Sequence, residues 1–188
     1  YPRDRSRVVG NPVRAAFSSP PDRKAACEAF ELNPDLPVVL VCGGSQGAHR
    51  LNEAMKDVVS RVSREQTQFI WMTGAGDASM AYDAADHSAA DVRVFPYIDD
   101  MATACAAADL IVSRAGASTT AEIALMGKPA ILVPYPHATD DHQRHNAQAF
   151  VDMGAAILLD DEECTADALC STILRLLADR AALEEMSH

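Results

Sequence analysis

Short apolar runs alternate with helical patterns along most of the chain, and a turn of small or polar residues closes each run. Residues 37–42 (Pro-Val-Val-Leu-Val-Cys) are almost wholly apolar, as in a parallel strand covered on both faces. Residues 68–72, 92–97, 110–113, 129–133 and 156–159 read as five further strands. Between and around them the pattern predicts helices over 22–32, 48–63, 79–86, 99–107, 118–126, 141–153, 165–177 and 180–186. The helix over 48–63 is the clearest, with Leu51, Met55, Val58, Val59 and Val62 at helical spacing. Residues 7–13 form an initial extended segment that Gly10-Asn11-Pro12 closes. Residues 74–90, rich in Ala, Asp and Ser, carry the weakest pattern. Strict β/α alternation with short connections predicts an α/β fold, a doubly wound Rossmann-like parallel sheet with helices on both faces. No repeat, low-complexity tract or linker interrupts it.

Composition narrows the partners. The 188 residues suit one domain, and 48% hydrophobic content supplies a core. A net charge of −11 argues against a nucleic-acid partner, which needs clustered Lys and Arg. It also argues against holding an anionic membrane by charge alone. Cys27, Cys42, Cys105, Cys164 and Cys170 are odd in number and include no CxxC, which speaks against a disulfide framework or zinc knuckle and for a reducing cytosol. No run of 18 apolar residues occurs, and the first residues lack the pattern of a signal peptide. Both ends read like those of a piece cut from something longer.

The candidate chemistry lies in the turns. In an alternating β/α chain the strand-to-helix turns gather at the carboxyl ends of the strands, where ligands bind. Gly43-Gly44-Ser45-Gln46-Gly47 lets a backbone approach a diphosphate, and Ser45 adds a hydroxyl; a tight packing turn is the plain alternative. Cys42 stands where a dinucleotide fingerprint needs its first glycine, Trp71-Met72-Thr73 replaces the acidic end of the second strand, and no Walker lysine is present. In Arg114-Ala115-Gly116-Ala117-Ser118-Thr119, small residues open a helix, and Ser118, Thr119 and Thr120 offer capping hydroxyls. Glu122 suits the first-turn dipole, or else a ribose diol. His137, Asp140, Asp141, His142 and His145 look like metal ligands, but helix starts attract Asp, and no metal is assigned. Gln143 and Asn146, one helical turn apart, offer amides suited to sugar hydroxyls. Arg14, after the Asn11-Pro12 turn, is placed to swing over a ligand or to stay a surface arginine. Ile98 can offer its main chain to a base edge, or simply pack.

Taken together, Gly10-Asn11-Pro12-Val13-Arg14, the Gly43 to Ala48 loop with Leu51-Asn52, the Ile98 turn, Arg114 to Thr119 with Glu122, and Tyr135-Pro136-His137 through Asp141-His142-Gln143 to Asn146-Ala147 resemble the MurG family of bacterial UDP-N-acetylglucosamine transferases. The resemblance runs in order over nearly the whole chain; Thr120, where the family more often has an aliphatic residue, is a small departure. It implies one half of a GT-B glycosyltransferase, with residues 1–16 an interdomain segment and first strand, and 17–188 the C-terminal donor-binding domain. The acceptor domain and the catalytic base would lie on the other half, so no catalytic residue is expected here and the half alone should not turn over. The resemblance gives Gly44, Ser45, Gly47, Gly116, Ser118 and Thr119 to the diphosphate, with Arg14 and Arg114 offsetting its charge. It gives Ile98 to the uracil, Glu122 to the ribose, and Ala117, Gln143 and Asn146 to the N-acetylglucosamine. The implied partners are UDP-N-acetylglucosamine and, through the other half, lipid I of peptidoglycan synthesis. No cofactor, metal or nucleic acid is implied. The place is the cytoplasm, with the intact enzyme peripheral on the inner face of the cell membrane. Rival readings are the donor-binding subunit of a split N-glycan transferase, half of a nucleotide-sugar epimerase and, more distantly, an NAD oxidoreductase.

Overall fold

The computed structural model describes residues 10–44 and 48–187, so the expected roles of Ser45 and Gly47, and the 7–9 part of the initial extended segment, lie outside the described residues. Six strands form one parallel sheet: β1 (Val38–Cys42), β2 (Gln68–Met72), β3 (Asp91–Phe95), β4 (Leu110–Ser113), β5 (Ala130–Leu132) and β6 (Ala156–Leu158). Their spatial order is β3-β2-β1-β4-β5-β6. The helices are α1 (Arg23–Ala29), α2 (His49–Arg61), α3 (Ala78–Asp86), α4 (Met101–Ala107), α5 (Ala117–Met126), α6 (His142–Asp152), α7 (Ala166–Ala178) and α8 (Arg180–Met186). No helix of the described residues is long and apolar enough to cross a membrane.

The order explains the two faces. From β1 the chain steps outward to β2 and β3, with α2 and α3 as crossovers. It then returns through α4 to β4, on the other side of β1, and steps outward again. Right-handed crossovers in opposite directions must lie on opposite faces. Accordingly Val38, Leu40 and Cys42 point into one core with residues of α1, α4, α5 and α6, while Val39 and Val41 point into the other with residues of α2, α3 and α7. Both faces of β1 are thus covered, and all five of its residues are buried, as its apolar run requires. The register sets Cys42 beside Ser113, so the turns after β1 and β4 leave the sheet side by side at the point where strand order reverses.

Several boundaries move for local reasons. The described part of the expected first strand, residues 10–13, is irregular: Gly10 takes φ +80° and Pro12 donates no hydrogen bond. A 3-10 turn at Ala15–Ser18, which no pattern in the sequence signals, follows and seats Phe17 in the core. Helix α1 starts one residue later than its pattern because Asp22 caps it, accepting from the Ala25 amide at 2.9 Å, and Glu31 ends the region at φ +54°. Asp100 caps α4 in the same way through the Thr103 amide, so that helix begins at Met101 rather than 99. Asp140 and Asp141 both take φ +51°, which confines α6 to start at His142.

One polar cluster is built into the second core. Asn52 on α2 is fully buried. Its amide nitrogen donates to Thr73 O at 2.9 Å and Asp77 Oδ2 at 2.7 Å, and its Oδ1 accepts from Trp71 Nε1 at 3.0 Å. Asp77 also meets His49 Nδ1 at 2.9 Å. Burial pushes the Asp77 carboxyl up, but the bonds from Asn52 and His49 outweigh it and hold the group below the usual carboxylate range. The cluster ties the start of α2 to the end of β2.

Candidate functional site

The turns after β1 and β4 supply the floor of the site. Gly44 takes φ +84°, a left-handed conformation that an L side chain would strain. Gly116 is the N-cap of α5, and among the described residues no side chain caps that helix end. The first intrahelical bond runs from the Thr120 amide to Gly116 O at 2.9 Å. The amides of Ala117, Ser118 and Thr119 precede it and point out of the helix end, as the first amides of any helix do. Ala117 and Ser118 are exposed and Thr119 is half-buried. Open amides and a helix dipole at a strand switch point have the chemistry of an anion site.

Thr120 departs from expectation. Its hydroxyl donates backward, to Gly116 O at 3.1 Å and Ala117 O at 3.2 Å, so it seals its own helix rather than capping the end. Glu122 departs too, because α5 starts at Ala117 and its first turn holds no acidic residue. The dipole therefore does not account for Glu122. Instead Arg14 holds it: Arg14 Nε and Nη2 lie 3.1 and 3.0 Å from the same Glu122 oxygen. The leading segment is docked to make that pair. Asn11 Nδ2 donates to Ala117 O at 3.1 Å, and the Arg14 guanidinium stacks 5.2 Å from the centre of the Phe17 ring.

The β3–α4 turn closes the same side. Ile98 is buried, its side chain in the core, while Tyr97 is exposed. Hydrogen bonds from Thr103 hold the Asp100 carboxyl below its usual range, and the charge of Arg14 adds a smaller pull. Burial pushes the Cys105 thiol up to about 12, with a further push from Glu122.

Gln143 and Asn146, expected to face a sugar, are each bonded to a neighbouring loop. Gln143 Oε1 accepts from the Tyr135 amide at 3.0 Å. Asn146 Nδ2 donates to Ala115 O at 3.0 Å. Both residues are half-buried. Those bonds fix the way each amide faces: among the described residues, Gln143 keeps its NH2 as a free donor and Asn146 its carbonyl as a free acceptor.

Arg114, which the resemblance gave to the diphosphate less surely than Arg14, turns inward: its side chain is only 10% exposed. Its Nη1 lies 2.5 Å from Asp161 Oδ1 and donates to Val133 O and Pro134 O at 3.2 Å. A buried guanidinium requires such partners, and Asp161 supplies the charge. Nothing in the acidic run of residues 160–163 singled out Asp161 beforehand. Nor did the sequence signal Asp77 as the partner of Asn52 and His49, or the backbone amide of Tyr135 as the partner of Gln143. In the third turn, His142 Nδ1 meets Thr139 O at 2.8 Å and Arg144 pairs with Asp160. Among the described residues no three His, Cys, Asp or Glu side chains converge as metal ligands would. One cavity of about 410 Å³ lies at the opposite end of the sheet, beside Arg23 and Lys128, and another of about 390 Å³ borders the Arg114–Asp161 pair, lined by Pro134, Pro136, Arg144, Asp160 and Asp161.

Comparison with known proteins supplies a context for this geometry. The glycosyltransferase family 28 C-terminal domain matches residues 38–188. A protein of Chlorobaculum parvum named UDP-N-acetylglucosamine--N-acetylmuramyl-(pentapeptide) pyrophosphoryl-undecaprenol N-acetylglucosamine transferase is 44% identical over 182 residues, covering 96% of this chain and 49% of that protein. A Geobacter metallireducens protein of the same name is 38% identical over 190 residues, covering 100% of this chain and 51% of its own length. The crystal structure of Acinetobacter baumannii MurG superposes with a TM-score of 0.74 at 34% identity, over 81% of this chain and 46% of that one. The chain therefore spans about half the length of the curated relatives it matches.

Proposed function

The chain belongs to the glycosyltransferase family 28 C-terminal domains, and from that premise we propose that it is the donor-binding half of the enzyme that transfers N-acetylglucosamine to lipid I to make lipid II. The observation that carries the proposal is the convergence at the switch point. The open start of α5 lies between the Arg14–Glu122 pair on one flank and the Gln143 and Asn146 amides on the other. That order matches the parts of a UDP-sugar: nucleoside, diphosphate, hexose. Relatives at 38 to 44% identity, named as N-acetylglucosamine transferases, support it over an epimerase or a split N-glycan subunit.

In this reading the diphosphate sits on the amides at the start of α5, and Gly44, Ser45 and Gly47 keep the diphosphate role that the resemblance gives them. Glu122 accepts from the ribose hydroxyls. Arg14, half exposed and paired with Glu122 through one oxygen only, turns part of its fork to the phosphates. Ile98, its side chain held in the core, offers main-chain groups to the uracil. Gln143 donates to a sugar oxygen, Asn146 accepts from a sugar hydroxyl, and Ala117 leaves room for the ring. No cofactor or metal enters the scheme.

Transfer would be a direct inverting displacement. An acceptor hydroxyl oxygen bonds to the anomeric carbon as the bond from that carbon to the β-phosphate oxygen breaks. The hydroxyl proton goes to a base on the other half, and UDP leaves with the electron pair. The α5 dipole and Arg14 stabilise charge as it grows on the leaving diphosphate, an effect that needs no reorganisation because the amides are already aligned. Acceptor and base lie on the other half, so this half alone binds without turning over. In the intact enzyme, membrane contact on the cytoplasmic face would also come through that other half.

The flanks are separable. Gln143→Ala removes a sugar-facing donor and leaves the nucleotide side intact. Loss of one such hydrogen bond costs about 1–1.5 kcal/mol, so UDP-N-acetylglucosamine should bind roughly tenfold more weakly while UDP is unchanged. Titration calorimetry, with and without chelator, reads both. Equal losses for the two ligands would move Gln143 to the nucleotide side, and chelator-sensitive binding would bring a metal back to the His137–His145 turn.

A further inference from the structure

We propose that the buried Arg114–Asp161 pair is a positioning device that sets the sugar selectivity of the site without touching the ligand; the inference rests on the donor-binding reading above.

The pair joins three connections that the sequence keeps far apart. Arg114 follows β4 and leads into the start of α5. Its Nη1 also holds Val133 O and Pro134 O, which follow β5. Asp161 follows β6. One guanidinium therefore fixes three strand-end connections to one another. Both members are close to fully buried, at 10% and 11% side-chain exposure, so neither is free to turn toward solvent or a ligand.

Both sugar-facing amides are anchored on immediate neighbours of this knot. Asn146 is held by the carbonyl of Ala115, the residue after Arg114. Gln143 is held by the amide of Tyr135, the residue after Pro134, and the Tyr135 ring lies 5.6 Å from the Arg114 guanidinium. The nucleotide flank, Arg14 with Glu122, is fixed independently by Asn11 and Phe17. Loosening the pair should therefore blur the placement of the Gln143 donor and the Asn146 acceptor and leave the uridine contacts in place. A misplacement of well under an ångström is enough to weaken a directional hydrogen bond.

Asp161→Asn tests this. The amide keeps the shape and an acceptor but removes the charge that Arg114 requires. The preference for UDP-N-acetylglucosamine over UDP, measured as a ratio of Kd values, should fall about fivefold while the Kd of UDP itself moves less than about twofold. Asp161→Glu, which restores the charge, should recover part of the ratio. Hydrogen exchange supplies a readout that needs no ligand: the Tyr135 amide should exchange faster in Asp161→Asn than in the wild type, with β1 amides unaffected. A lower melting temperature with an unchanged ratio and unchanged Tyr135 exchange would make the pair structural only and overturn the proposal. Equal weakening of UDP and UDP-N-acetylglucosamine would overturn it in favour of direct phosphate contact by Arg114. If the wild type binds no uridine nucleotide, the donor-binding reading fails. Tyr135 exchange then decides alone whether the pair fixes the loops.

Discussion

Replacing Glu122 by Gln should weaken the binding of UDP and of UDP-N-acetylglucosamine alike, by roughly ten- to a hundredfold. A carboxylate can accept from both hydroxyls of a ribose, and a charge-assisted bond is worth roughly 1.5–3 kcal/mol. An amide of the same shape keeps one acceptor and loses the charge. The structure adds a second consequence. Glu122 is also the partner of Arg14, so the substitution frees a cation next to the diphosphate position. That release partly offsets the loss, which is why the lower half of the range is expected at low salt. Stability should move little, because Arg14 is half exposed and such pairs contribute at most about 1 kcal/mol. The equal loss for both ligands separates Glu122 from Gln143, whose loss falls on the sugar alone. Calorimetric titration of the variant with each ligand reads the difference. Unaltered affinity for UDP would leave Glu122 as nothing more than an anchor for the leading segment.

The largest effect on stability should come from Asn52→Ala. Three hydrogen bonds converge on a side chain that is fully buried. Truncation leaves the Trp71 indole N–H and one Asp77 oxygen without that partner in a site where water must enter or the groups stay unsatisfied. An orphaned buried polar group costs about 1–3 kcal/mol, so a total near 3 kcal/mol is expected. In a domain of this size that lowers the melting temperature by roughly 6–12 °C. The effect has a pH signature. The Asp77 carboxyl is held below its usual range in the folded state, so its contribution is present above the unfolded pKa of 3.8 and is lost as pH falls through the folded value. The deficit of the variant should therefore be full near neutral pH and shrink in acid. Trp71 is the only tryptophan, so denaturant unfolding followed by its fluorescence reports on this cluster directly. A change below about 1 kcal/mol would mean that the cluster relaxes without cost.

Much of the fold was legible because burial on both faces leaves an unmistakable mark. Gln68–Met72, Leu110–Ser113 and Arg180–Met186 fall where the apolar pattern puts them. The β/α alternation also fixed the switch point, since parallel strands joined by short crossovers leave few arrangements. Boundaries drifted wherever a side chain rather than a hydrophobic period made the decision, as with the Asp22 and Asp100 caps and the left-handed Asp140 and Asp141. Phe17 shows the same limit: a lone aromatic in a polar stretch gave no period to follow, yet it anchors the leading segment.

Within the site, Gly44 was readable as a turn position because few other residues take a left-handed conformation. Partnerships were not. Arg114 was given to the diphosphate by the resemblance, which carries no information about its partner in this chain. Its partner lies 47 residues away in an acidic run where any carboxylate would have looked alike. Glu122 was near enough to a helix start to suggest the dipole, and only the start of α5 at Ala117, with Arg14 alongside, removes that explanation.

The central claim, that this half is a reader of one UDP-sugar, is tested most directly by titrating the chain with UDP-N-acetylglucosamine, UDP-glucose and NAD in parallel. In the proposed scheme the backbone amides at α5 and the Arg14–Glu122 pair would serve any uridine diphosphate, while Gln143 and Asn146 would read the hexose. The account predicts saturable heat with both UDP-sugars, a clear preference for UDP-N-acetylglucosamine, and none with NAD. Binding of NAD, or indifference among the three, would contradict it.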